Sequence, residues 1–341
     1  MLTAKLFLRL FLVLYLVIAT LLLITYFTTP FYGDLTRIGL LPEEMFGWRK
    51  PQASISGARL KSVKAPDADV IVIGDSFSQA LYWQSELVNN GLAVKTVHWN
   101  DFGSICTNVE RWLDHSGFDR KGIVIIQSIQ SLFDKRMDAS LACGDNKQPR
   151  ADKELTINSP PTEPLLGSGA RNGTEKIATG IAQLWNAQLV KNTPDLRAFG
   201  STRDLIVARN VPRGCERFSH AYCTKALFLE RDDHRAPLGD ATLEKVKKVT
   251  ARLANYQVVW LVIPDKTTVY FDKDSPFWQQ LADNSLGPNL YAPLIAARNV
   301  TTDLYYPNDT HFSNTGFMLL GKAVNDYLAA KTNIVERAKN R

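Results

Sequence analysis

An α/β fold with a mostly parallel sheet, preceded by one transmembrane helix, is predicted by two observations. Short β-branched runs alternate with helix-patterned or loop sequence, and an 18-residue uncharged stretch stands near the N-terminus. At 341 residues with 45% hydrophobic content the chain buries a full core, as one large domain or two small ones. The formal charge of +6 comes with no long basic block, so no nucleic-acid partner is expected.

Leu10 to Phe27, LFLVLYLVIATLLLITYF, follows Lys5 and Arg9 and is long enough to cross the hydrocarbon layer. Basic residues before it and the acidic-containing segment Asp34 to Glu44 after it favour a cytoplasmic N-terminus with the remainder outside. The competing reading is a cleaved signal peptide. The exit TYFTTPFYG offers no clear small-x-small cleavage site, which favours an uncleaved anchor. Residues 1–30 are therefore read as anchor, 31–64 as linker, 65–332 as the main domain with an insertion at about 143–240, and 333–341 as a tail.

Four cysteines suit an oxidising compartment beyond that membrane. Cys215 and Cys223 close the short loop GCERFSHAYC, which leaves Cys106 with Cys143. Zinc would want CxxC-type spacing or more histidines than His220 nearby.

The strands are expected at Val70 to Ile73, Ala93 to His98, Ile123 to Ile129 and Val258 to Ile263. Phe77, Ala80, Leu81, Trp83, Leu87 and Val88 fall largely on one face, predicting a helix from Ser76 to Val88 that Gly91 stops. Cys143 to Gly173, with NSPPTEP, reads as a long loop. Further helices are expected at Ile177 to Lys191 and Ala241 to Ala254, and a last one carries Phe317, Leu320, Val324 and Leu328.

The stretch IVIGDSFSQA puts Ser76 at a strand-to-helix turn, an address that exposes one hydroxyl at a helix start. The plainer reading is that Asp75 or Ser76 caps the helix. A nucleophilic serine needs a base with an orienting carboxylate. His98, at a strand end, His115, in a loop, His220, between two cysteines, and His234, in RDDHR, read as structural or solvated. His311 differs: it lies in YYPNDTHFSNTGF, two residues after Asp309 and just before the last helix, which Ser313 or Asn314 caps.

The early GDSF and late DTHF together resemble the SGNH (GDSL-type) hydrolase superfamily. VIPDKTTVYF, DLYYPNDTHF and IIQSIQSLFDKR are similar to segments of its alginate O-acetyltransferase group. In that group the Asp-x-His segment precedes the serine, whereas here Ser76 comes first; this is the order of the wider superfamily, so alginate is not carried over.

The resemblance implies a three-layer sandwich and a triad in which Ser76 attacks, His311 moves the proton and Asp309 orients the imidazole. It implies an oxyanion hole from the amides of Ser76 and Gly103 with Gln127 or Ser128. Arg136, Lys266, Tyr270 and Tyr306 are candidate glycan contacts. No cofactor and no metal are expected, since Asp309 and His311 lack an evident third ligand. The implied activity is O-acetylation of an exopolysaccharide or envelope glycan by a single-pass protein of the inner membrane, its domain in the periplasm or outside the cell. A multi-span membrane acyltransferase is the implied partner that supplies acetyl groups. A carbohydrate acetylesterase is the alternative, and a non-catalytic glycan-binding scaffold the weaker one.

Overall fold

The computed structural model describes residues 3–27, 31–149, 153–165, 177–200, 204–233 and 238–331. The tail from 333, His234 and residues 150–152 and 166–173 of the expected loop lie outside these. In chain order the main strands are β1 (Val70–Gly74), β2 (Val94–His98), β3 (Ile123–Ile129), β4 (Leu196–Phe199), β5 (Ile206–Asn210), β6 (Lys225–Leu229) and β7 (Gln257–Ile263). The helices used below are α1 (Ala4–Phe27), α2 (Asp34–Gly39), α3 (Ser76–Gln79), α4 (Gln84–Asn89), α5 (Thr107–Ser116), α6 (Gln130–Ala142), α7 (Ile177–Asn192), α8 (Asp240–Ala251) and α9 (Asn314–Lys331).

The chain divides into two units. The first is Met1–Lys50, Pro164–Glu230 and Tyr306–Thr310; the second is Pro51–Glu163, Arg231–Tyr305 and His311–Arg341.

The second unit contains the expected parallel sheet, in the order β2-β1-β3-β7, with all three pairings parallel. The central strands β1 and β3 carry runs of Val and Ile because a parallel sheet is covered on both faces, and every position of β1 is buried. One face alternates through Ile71, Ile73, Val124, Ile126, Trp260 and Val262 into a core completed by Phe133, Val246 and Phe277. α9 buries Phe317, Leu320, Val324 and Leu328, the stripe its sequence shows. It packs so closely that a Cβ on Gly321 would lie 2.2 Å from the Trp83 carbonyl oxygen. The Cys106–Cys143 disulfide forms as expected.

The helix expected from Ser76 to Val88 is two helices, α3 and α4. Leu81 adopts left-handed geometry (φ 56°), and the Trp83 indole donates to Ser78 Oγ at 3.2 Å while Gln84 Nε2 donates to the Ser78 carbonyl at 2.7 Å. The break turns both Leu81 and Trp83 inward, which a continuous helix could not do while keeping Ser76 at the strand tip.

The first unit begins with α1, whose residues Ala4–Leu23 are long and apolar enough to cross a membrane. The residues read as linker hold α2 and a second short helix, Glu43–Phe46. α7 forms where expected, and the insertion also carries an antiparallel sheet, β4-β5-β6, that the pattern reading did not pick out. Leu35, Leu41, Phe46, Val190, Ile206 and Leu227 make its core. Cys215–Cys223 forms as expected.

Candidate active site

β1 delivers the chain to Asp75, whose extended backbone and side chain start α3: Oδ1 accepts from the Phe77 amide at 3.1 Å. Capping therefore falls to Asp75, and Ser76 is exposed between buried Asp75 and Phe77. His311 Nε2 lies 2.8 Å from Ser76 Oγ. The imidazole packs on Phe77 with ring centroids 4.6 Å apart, and Phe77 is held in turn against Phe312 and Phe317.

The backbone around His311 is fixed on both sides. Phe312 pairs with Tyr305 as an isolated antiparallel bridge, and Ser313 Oγ accepts from the Gly316 amide to open α9. Asn314 Nδ2 donates to the carbonyls of Ala53 and Pro161, each at 3.0 Å. The buried Tyr305 hydroxyl donates to the Pro264 carbonyl at 2.6 Å, and burial pushes its pKa well up.

The tip of that loop, Tyr306–Thr310, belongs to the first unit and is bound by it. Asp309 Oδ2 accepts from the Asp34 amide at 2.9 Å, and the Asn308 carbonyl accepts from the Leu35 amide at 3.0 Å. Asn308 Nδ2 donates to Glu43 Oε2 at 2.8 Å. Glu43 is fully buried, and its Oε1 accepts from the amides of Tyr32 and Gly33 and from the Thr36 hydroxyl. Burial raises its pKa, against the opposing pull of those hydrogen bonds.

Behind the serine lies a closed polar network. Asp75 Oδ1 also accepts from Gln127 Nε2 at 2.9 Å, while Oδ2 accepts from the Ile129 amide at 2.8 Å and from Arg136 Nη1 at 2.6 Å. Gln127 Oε1 accepts from the Asp75 amide and from Ser78 Oγ. Arg136 also donates to Ser128 Oγ and lies over the Trp99 ring, 4.8 Å from its centroid.

This network changes several expected roles. Gln127 is fully buried with its carboxamide turned onto Asp75 and Ser78, and Ser128 Oγ donates to the Ile129 carbonyl, so both brace the serine turn rather than face a substrate. The Gly103 amide donates to the Trp99 carbonyl at 3.2 Å, which occupies the donor expected to serve an oxyanion. Its glycine is needed for another reason: φ is 71° and a Cβ would stand 2.6 Å from Asp145. Arg136 pairs with Asp75, and Lys266 and Tyr270 lie inside the fold in the wholly buried Lys266–Tyr270 helix, so none of the three is a glycan contact. Tyr306, half-buried, packs on Trp48. His115 sits on α5 rather than in a loop. His98 caps a turn and His220 Nε2 bonds the Lys225 carbonyl, both structural as expected.

No family model, curated protein or solved structure matches the chain. The site thus stands on its own geometry. An exposed serine hydroxyl in contact with an imidazole, on a turn pinned by four hydrogen bonds to one carboxylate, can run nucleophilic acyl transfer. Asp75 organises its turn; within the first unit, the Glu43–Asn308 pairing is one that sequence reading missed, since nothing local in LPEEMF distinguishes Glu43 from an exposed helix-start acid.

Proposed function

We propose that this chain is a membrane-anchored, extracytoplasmic O-acetyltransferase of the SGNH type acting on a hydroxyl of an exopolysaccharide or cell-envelope glycan. The observation that carries the reading is the 2.8 Å approach of His311 Nε2 to the exposed Ser76 Oγ. His311 Nε2 takes the hydroxyl proton as Oγ attacks the acetyl carbonyl, then returns it to the departing donor oxygen, leaving acetyl-Ser76. A sugar hydroxyl then gives its proton to His311, attacks the acetyl carbon and releases Ser76 Oγ, which recovers the proton. Asp309, two residues before the histidine, is the carboxylate that the motif resemblance supplies for the imidazole, and the Ser76 amide is the first oxyanion donor.

The apolar α1 and the two disulfides support an anchored domain in an oxidising compartment. Acetyl groups then have to be brought across the membrane, which is the part assigned to a multi-span acyltransferase partner. The test is turnover of nitrophenyl acetate by the purified protein, with mass spectrometry of the Ser76 peptide. The expected result is acetyl-Ser76 and a loss on the order of a thousandfold or more in Ser76→Ala and in His311→Ala. With an oligosaccharide present, acetylated sugar should rise at the expense of free acetate. Release of acetate regardless of acceptor would favour the esterase, and full turnover by a folded Ser76→Ala protein would refute the catalytic reading.

A further inference from the structure

One helix of the first unit is apolar on two opposite faces. α7 has no charged residue from Ile177 to Val190, and Lys191 follows at its C-terminal end. Gln183, Ala187 and Val190 are buried, the last two in the core of the first unit. The other face exposes Ile181, Leu184 and Trp185, at 47%, 59% and 67%. These three stand at i, i+3 and i+4, so they form one stripe rather than scattered surface residues.

We infer that α7 lies in the plane of the membrane that α1 crosses, with Ile181, Leu184 and Trp185 seated in the lipid interface where α1 leaves the bilayer. α7 packs against α1 within the same unit. Along α1 from Leu6 to Leu23 only Ala19 and Leu21 are half-buried, so the packing is at the C-terminal, exit end. Four Cα steps join Phe27 to Phe31, which keeps Phe31 within about 15 Å of that end. An uncharged stripe tipped by tryptophan matches the chemistry of the headgroup boundary, where indole rings concentrate and an in-plane helix buries one face. Lys191 at the end of the helix suits anionic headgroups.

The inference rests on α1 spanning a bilayer, and the experiment reads that separately. Nitroxide labels are placed one at a time on Leu184→Cys, on Leu14→Cys in α1 and on the exposed Arg59→Cys of the full chain, in vesicles of phosphatidylethanolamine and phosphatidylglycerol. The four native cysteines are paired, so the introduced thiol is the one labelled. Relaxation by oxygen and by a water-soluble nickel chelate then reports lipid against water. The expected result is an oxygen-to-nickel ratio several-fold higher at positions 184 and 14 than at 59. A lipid ratio at 14 with a water ratio at 184 overturns the inference and leaves the anchor standing. Water ratios at both overturn the two together. A label at 184 shielded from both reagents means a second copy of the chain covers the stripe, which also overturns it.

Discussion

Replacing Asp75 by asparagine keeps the shape of the turn after β1 and removes its charge. The carboxylate accepts four hydrogen bonds, two on each oxygen, from Phe77, Gln127, Ile129 and Arg136. An asparagine has one carbonyl oxygen, so in either orientation its NH₂ is set against two donors. The Arg136–Asp75 pair is also shielded, with side chains 13% and 6% exposed. Removing one partner of such a pair strands the other charge, a loss of about 3–5 kcal/mol. The expected outcome for Asp75→Asn is a fall in urea stability of that size, with acyl turnover falling too because the turn presents Ser76. A cycle with Arg136→Met should recover part of the loss, with a coupling of about 0.5–3 kcal/mol. Stability within about 0.5 kcal/mol of wild type, the range of ordinary surface substitutions, would refute the argument that this carboxylate holds the site.

Other outcomes follow from the same geometry. Gly74→Ala should destabilise the second unit by about 1–3 kcal/mol in chemical denaturation and lower turnover, because its Cβ would lie 2.3 Å from Ser78 Oγ and 2.7 Å from Gln127 Oε1. Glu43 has a folded pKa raised above its ordinary 4.5, so its stability contribution is fullest below that value and is lost as pH rises through the folded pKa; thermal melts should show wild type losing stability relative to Glu43→Gln as pH climbs from 4.5. Thiol labelling under denaturing, non-reducing conditions should find no free cysteine. With sequence separations of 8 and 37, loop-entropy arithmetic gives about 2.6 kcal/mol for Cys215–Cys223 and about 3.9 kcal/mol for Cys106–Cys143, so reduction should lower the melting temperature.

Several elements were legible from local pattern alone. The central strands of the parallel sheet are legible because a strand covered on both faces is a run of apolar, β-branched residues. α9 is legible because its buried stripe repeats with the helical period, and α1 because it is long, apolar and nearly without charge, enough to cross a membrane. Ser76 and His311 were both found on their turns, each next to an element whose start is marked by capping chemistry.

Only the tertiary structure decided what depends on partners distant in the chain. Gln127 reads as an exposed donor at the end of a strand until the fold sets Asp75, 52 residues away, against its carboxamide. Arg136 reads as a sugar ligand until the same carboxylate claims it from 61 residues away. Glu43 and Asn308 meet across 265 residues, and no periodicity records such a pairing. The break between α3 and α4 has the same origin, since the apolar spacing from Phe77 to Val88 is compatible with one helix and Ser78 is drawn instead to Gln127 and Trp83. Local sequence sets which elements form, because their hydrogen bonds close within a few residues; long-range hydrogen bonding of buried polar groups sets which side chains are spent on structure and which reach the surface to react.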